Sequence, residues 1–319
     1  SADITTARAE SYIKPGALPW VRPGTLKDDL ARRDFTVNAM AIEINPRHYG
    51  ELIDPHGGRQ DLRDRAIRVL HEKSFTDDAT RIWRAVRYEQ RLDFTIEPMT
   101  LLLLERDLPM LSTITGTRIR HELELVLREA EPEKALRRAA DLGVLEQLHP
   151  SLALDAEQAG QFSLARERYA GNGALPLVYM ALLCAGLDAA ETETLIACLH
   201  PTRPVVQVLR ETAALKDRGI ELANHGPAPS QVYASLHGYS LPTLMAAALG
   251  NDAVTAEQIE LYLNVLRHVK PALGGGDLKK LGVPEGPQMK EVLQALREAR
   301  LDGKISTKAE EEQMVREMS

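Results

Sequence analysis

Aromatic side chains are scarce in this 319-residue chain, at 4% of positions, whereas alanine and leucine are abundant. That balance favours helices over sheet. Cysteine is scarcer still. Cys184 and Cys198 lie in apolar, helix-like sequence, a setting for buried thiols in a cytosolic protein rather than for a disulfide or a metal site. Long hydrophobic runs are missing. The longest, around Ala174 to Leu187, falls short of the roughly 20 residues that span a bilayer and reads as a core helix. Positive charge is not in excess either: with a net charge of −7 and a pI near 5.8, no global positive field advertises nucleic acid. RNA binding would need local basic faces. Several chemical signatures are also absent. The chain has no His-Asp dipeptide, which counts against a phosphohydrolase of that type. It has no HExxH, no CxxC and no P-loop. The glycine triplet Gly274 to Gly276 follows no strand and is no dinucleotide fingerprint.

What is present begins with Asp28 to Met40, DDLARRDFTVNAM. Phe35, Val37 and Ala39 alternate with Asp34, Thr36 and Asn38, the period-2 pattern of a half-buried strand. Its polar members would share one face, with Arg32 and Arg33 at the entrance. Guanidinium for phosphate, and carboxylate or amide for ribose or base, suit a nucleotide. The same spacing also fits a solvated edge strand with surface ion pairs. Upstream, Ala2 to Ala7 is strand-like, with Asp3 and Thr5 on one face, and the proline-rich Tyr12 to Gly24 reads as a loop.

From Thr76 the period changes to 3.6. Thr76 or Asp77 is the expected N-cap of a helix to about Gln90. Ala79, Ile82, Trp83 and Val86 share its apolar arc, and Asp78, Arg81, Arg84 and Arg87 share the opposite one. A solvated face with Asp78 paired to Arg81 accounts for this stripe. It leaves unexplained why arginine and never lysine fills all three cationic sites. Arginine is the residue for forked contacts to phosphates and base edges. Helices are then expected over Thr95 to Leu104 and Thr117 to Arg128, the latter exposing Arg118 and Arg120. Helical hairpins follow as far as Met318.

Three linked motifs, RRDFTVNAM at Arg32, DPHGGRQDLRDRAIR at Asp54 and DDATRIWRAVRY at Asp77, resemble the class II tRNA nucleotidyltransferase/poly(A) polymerase family. The resemblance continues through TGTRIRHELELVL and GVLEQLHP and, more faintly, through GGDLKKLGVPEGP to KAEEE. It implies an α+β fold: a small, incomplete nucleotidyltransferase α/β head over residues 1–70, then a mainly helical neck (71–130), body (131–225) and tRNA-contacting tail (226–319). It implies a cytoplasmic enzyme that adds A, or C and A, to the 3′ acceptor end of tRNA from ATP, with CTP as a further substrate, using Mg²⁺. Poly(A) polymerase and a non-catalytic helical RNA-binding module are the alternatives.

By the same resemblance Arg33, Asp34 and Asn38 hold the nucleotide. Asp78 and Arg81 read the base edge, and Arg84 and Arg87 help neutralise phosphate. Asp77 stands where the family usually has glutamate. Asp3 corresponds to a third acidic residue of the active site, orienting the attacking hydroxyl and serving as a metal ligand. The family's GGxVRD segment and Asp-x-Asp metal pair do not occur in the chain. Two metal ions about 3.5–4 Å apart need more than one carboxylate, so a preceding segment or second chain is expected to supply them, and the chain by itself is expected to be inactive.

Overall fold

From Thr25 the backbone enters a helix ahead of the segment expected to be a strand. The Asp28 N–H donates to Thr25 Oγ1 and the Thr25 N–H to Asp28 Oδ2, at 3.2 and 2.8 Å. This reciprocal cap starts α1 (Leu26–Ala31), and the acids Asp28 and Asp29 in its first turn complement the helix dipole. The chain is extended only at Phe35, which bridges Val69. It then tightens into a single 3-10 turn over Thr36–Asn38. The period-2 reading fails because polar residues here are as buried as apolar ones: Asp34 and Thr36 lie inside with Phe35 and Ala39. Burial of such groups is tolerated when each is paired. Thr36 Oγ1 donates to Asp61 Oδ2 at 2.6 Å, and Asp61 also holds Arg68.

The computed structural model describes residues 4–223, 226–250 and 252–318. One unit ends at Val206 and a second begins at Gln207. In the first, β1 (Arg8–Ser11) and β2 (Trp20–Pro23) pair antiparallel, Arg8 opposite Pro23 and Ser11 opposite Trp20. The expected loop therefore contains a strand, and the upstream strand begins at Arg8, with none over the described residues 4–7. β3 (Ala41–Ile42) pairs antiparallel with β4 (Leu52–Ile53). α2 (Gly58–Asp64) follows, and β5 (Ala66–Ile67) runs parallel to β6 (Thr95–Ile96).

Between these last two strands lie α3 (Ser74–Asp77) and α4 (Thr80–Leu92). The expected single helix is thus broken at Asp78, whose backbone is extended. Ile82, Trp83, Ala85 and Val86 are wholly inaccessible, and α4 packs against α6 (Gly116–Val126) and α7 (Pro132–Asp141). α5 (Pro98–Asp107) starts after β6, so the helix expected from Thr95 begins three residues late. α8 (Ala156–Arg168), α9 (Leu175–Cys184) and α10 (Ala189–Leu199) complete this unit up to the start of α11 (Arg203–Ala223). Phe162 stacks on Tyr179 between α8 and α9, ring centroids 4.9 Å apart. Cys184 is buried as expected, its thiol pKa pushed up to about 12 by desolvation, but Cys198 is exposed.

In the second unit, α12 (Pro229–Leu236), α13 (Leu241–Gly250) and α14 (Ala253–Asn264) enclose a core around Val232, Leu236, Leu244 and Ile259. α15 (Gly275–Lys280), α16 (Pro287–Leu301) and α17 (Lys308–Met318) enclose another around Leu278, Leu296 and Val315. Buried Glu311 accepts from the Ala272 and Leu273 N–H groups and pairs with Arg300, tying α17 to the glycine-rich turn. The fold is α+β, with small sheets in an otherwise helical chain. No described helix is long and apolar enough to cross a membrane.

α2 supports the 3-10 turn by direct backbone contact. A Cβ added at Gly58 would stand 2.2 Å from the Thr36 carbonyl oxygen, and backbone cannot rotate away. Gly58→Ala should therefore cost about 3 kcal/mol, the upper end for overpacking, read as a lower urea midpoint with an unchanged slope.

Candidate functional site

Arg33, Asp34, Asp78, Arg81 and Arg84 line a single cavity of about 330 Å³. Asn38 lies behind its wall, its side-chain amide donating to Asp34 Oδ1 at 2.9 Å. Arg87 lies elsewhere: nearly buried, it pairs with Glu129 at 3.1 Å and stacks over Tyr88. Asp3 lies outside the described residues.

The helix break puts Asp78 at the cavity. Its Oδ1 accepts from the Thr80 N–H at 3.1 Å and the Thr80 hydroxyl at 2.7 Å, just ahead of α4, whose N-cap is Ala79 and not the expected Thr76 or Asp77. A carboxylate at a helix N-terminus is favoured by the dipole and by the free N–H groups there. Asp78 Oδ2 takes a hydrogen bond from Arg118 Nη2 at 2.8 Å. The pairing of Asp78 with Arg81 suggested by their spacing does not form.

Arg81 and Arg84 instead point back to the RRD segment. Arg81 is buried; its Nη1 donates to Ser74 Oγ at 2.7 Å and its Nη2 to the Arg32 carbonyl at 2.9 Å. Arg84 Nε donates to Asp34 Oδ2 at 2.7 Å. Burial opposes ionisation of Asp34, but Arg84 and the Asn38 amide outweigh it and hold the pKa below the usual carboxylate range. Burial likewise disfavours the Arg84 cation, and Asp34 outweighs that, raising its pKa. A forked, permanently charged side chain can make such bonds to backbone and carboxylate together. That is what arginine rather than lysine supplies at these positions.

Arg32 pairs with Asp29 at 2.8 Å and with Glu10 at 3.1 Å. Arg33 reaches Asp29 at 3.2 Å and is the more exposed of the two. Arg8, Glu10, Tyr12, Thr80 and Arg118 complete the lining with Pro19, and none of them was a candidate from the sequence. Arg8 and Glu10 sit two apart on β1, hence on one side of it. Arg118 carried a usable signal: it occupies the first turn of α6, where the dipole disfavours a cation unless an anion answers it.

The cavity is lined by six arginines (Arg8, Arg32, Arg33, Arg81, Arg84, Arg118) against three carboxylates (Glu10, Asp34, Asp78). In a chain of net charge −7, this is a local cationic basin, fit for a polyanion with hydrogen-bonding edges. Among the described residues no group of three or more His, Cys, Asp or Glu side chains could hold a metal ion. Mg²⁺ is commonly held by one or two carboxylates with water and substrate phosphates, so the described side chains form no ready-made cage for it.

Two family models match the chain: one described as "Poly A polymerase head domain" over residues 1–68, and one described as "Probable RNA and SrmB-binding site of polymerase A" over residues 93–155. The chain is 35% identical to an A-adding tRNA nucleotidyltransferase of Geobacter sulfurreducens, over 97% of this chain and 37% of that protein. It therefore spans little more than a third of that relative's length. It is 34% identical to an A-adding tRNA nucleotidyltransferase of Halalkalibacterium halodurans, over 99% of this chain and 74% of that one. Among solved structures, a Thermotoga maritima CCA-adding enzyme complexed with tRNA superposes with a TM-score of 0.77 at 31% identity, covering 91% of this chain and 73% of that one.

Asp34 and Arg84 are the pair to perturb. Asp34→Asn should cost about 2 kcal/mol at neutral pH, less than the ~3–5 of a fully buried pair, because Arg84 keeps some solvent contact. Since the folded pKa of Asp34 is depressed, its contribution is complete above the unfolded value and is lost as pH falls through the folded one. The stability gap between wild type and Asp34→Asn should accordingly close below about pH 4 in urea titrations run across pH.

Proposed function

The chain belongs to the tRNA nucleotidyltransferase/poly(A) polymerase family, and from that premise we propose that its protein adds nucleotides to the 3′ acceptor end of tRNA. The 3′-hydroxyl of the RNA gives up its proton to solvent, its oxygen forms a bond to the α-phosphorus of a nucleoside triphosphate, the bond from that phosphorus to the bridging oxygen breaks, and pyrophosphate leaves. The observation that carries this reading is the cavity: six arginines and three carboxylates gathered on β1, the RRD segment, the α3–α4 junction, α4 and α6. A triphosphate needs the cations and a base edge needs the paired donor and acceptor.

Within it, Arg33 and Arg84 take the phosphates, and Asp34 and Asn38 hold Arg84 and the pocket wall in place. Asp78 and Arg81 meet the base. Arg87 supports the back of α4, and Asp3 keeps the role the family resemblance implies, orienting the attacking hydroxyl. Enzymes of this family generally use a divalent metal. Mg²⁺ is the ion we assign, with ligands other than the side chains described here, and none of these steps is routed through it. Residues 1–70 act as the head and 71–130 as the neck. The body (131–225) and tail (226–319) meet the tRNA through its shape and phosphates. An enzyme of tRNA maturation works in the cytoplasm.

Addition of A is the favoured form, because both relatives described above are named A-adding; C and A addition is the second form, from the relative named CCA-adding. The experiment offers the full-length protein tRNA lacking the final A, tRNA lacking CA, and an unrelated RNA, with each of the four nucleotides. Transfer of a single A to the first substrate alone is expected. Tailing of the unrelated RNA would mean a poly(A) polymerase, and failure to bind ATP a non-catalytic RNA-binding module. In the active protein, Arg81→Ala should lose base selectivity by about tenfold or more while triphosphate affinity changes less; unchanged preference among ATP, CTP, GTP and UTP would remove Arg81 from base reading.

A further inference from the structure

Arg118 is badly placed for the helix it belongs to. It stands in the first turn of α6, where a cation opposes the dipole, so its contacts lie outside that helix. Nη2 donates to Asp78 Oδ2 at 2.8 Å, and Nη1 reaches the Gly16 carbonyl at 3.4 Å. Gly16 is itself fixed: its φ is +72°, and a Cβ there would stand 2.4 Å from Thr113 Oγ1. The loop between β1 and β2, which brings Tyr12 and Pro19 to the cavity, is thereby docked beside α6. Arg118 ties that loop to the carboxylate of Asp78.

The hydrogen-bonding state of Asp78 gives this tie a chemical consequence. A carboxylate has about four acceptor positions. Asp78 uses two on Oδ1 for Thr80 and one on Oδ2 for Arg118. One position remains, on the oxygen that Arg118 grips, so Arg118 sets the direction in which it points. Adenine and cytosine present an exocyclic amino donor to such an acceptor. Guanine and uracil present a carbonyl at the corresponding place, which cannot donate.

We propose that Arg118 is a positioning residue for base selection: it aims the free acceptor of Asp78 so that amino-bearing bases are taken and carbonyl-bearing ones refused. The proposal rests on the cavity being the nucleotide site. Arg81 does not duplicate this function, since its Nη1 is spent on Ser74 and its Nη2 on the Arg32 carbonyl. Arg118 hydrogen-bonds both Asp78 and the Gly16 carbonyl of the β1–β2 loop.

The test measures kcat/KM of the full-length protein for ATP, CTP, GTP and UTP, with inhibition by inorganic tripolyphosphate as the base-free control. Arg118→Ala should reduce the preference for ATP and CTP over GTP and UTP by about tenfold or more, while inhibition by tripolyphosphate moves by less than about threefold. Arg118→Lys keeps the charge without the fork; it should fold with the wild-type melting temperature and restore part of the preference. On an Asp78→Asn background, Arg118→Ala should change discrimination no further. Wild-type discrimination in Arg118→Ala overturns the proposal. So does an equal loss of affinity for all four nucleotides and for tripolyphosphate, which makes Arg118 a charge and nothing more. Should Arg118→Ala fail to fold, Arg118→Lys decides: discrimination identical to wild type overturns the proposal. If the wild type transfers no nucleotide to tRNA, the functional reading fails and takes this inference with it; if it does transfer, failure here leaves that reading standing.

Discussion

Two guanidinium groups on one helix hold the site together. Arg84 binds the Asp34 carboxylate and Arg81 binds the Arg32 carbonyl, so α4 clamps both ends of the RRD segment. Everything that approaches the cavity is placed relative to that clamp. The 3-10 turn presents Asn38 to Asp34, and α1 presents Arg33 beside Asp29. β1 is joined to α1 through the Asp29 carboxylate, which accepts from the Arg8 backbone N–H. Burying an arginine costs several kcal/mol unless its partners are exact in number and direction. The clamp is tolerated because its partners outside α4, the Asp34 carboxylate, the Arg32 and Ser74 carbonyls and the Ser74 hydroxyl, satisfy the buried N–H groups.

The same clamp explains how an acidic protein makes a cationic basin. Four of its six arginines, Arg32, Arg81, Arg84 and Arg118, are at least partly withdrawn from solvent, where screening would dilute them. The six converge from β1, the end of α1, α4 and α6 onto one cavity, each held by one to three acceptors that leave other N–H groups over. Carboxylates such as Asp29 and Glu10 set the direction of these side chains without cancelling the local excess of positive charge. Further along α4, Arg87 is spent on Glu129, with Glu122 at 4.0 Å. Burial raises the pKa of Glu122 against the pull of Arg84 and Arg87. That end of the arginine stripe joins α4 to α6, and only the amino-terminal part of the stripe faces the cavity.

Asp78 shows how one side chain serves structure and recognition together. The break between α3 and α4 brings the Asp78 carboxylate to the cavity while its Oδ1 satisfies the Thr80 N–H at the start of α4. Its second oxygen is then available to Arg118 and to whatever enters.

Part of the cavity was readable from the sequence alone, in the RRD segment and in Asp78, Arg81 and Arg84 at helical spacing, as was the predominance of helix that scarce aromatics and abundant alanine and leucine imply. Periodicity reports which residues share a face, and it did so for α4. It does not report which face is buried, so the arginine stripe that spacing assigned to one open arc proved to contain the nearly inaccessible Arg81 and Arg87. Nor could alternation distinguish a strand at Asp34 to Asn38 from a 3-10 turn, because the polar residues there are satisfied by Arg84 and Asp61, distant in sequence. Arg118, Arg8 and Glu10 reach the cavity only through chain reversals whose geometry no local pattern encodes. The sequence by itself determined the chemistry available, through arginine's fork and the carboxylates' charge; the tertiary structure decided which of those groups meet, because pairing across long separations is set by packing.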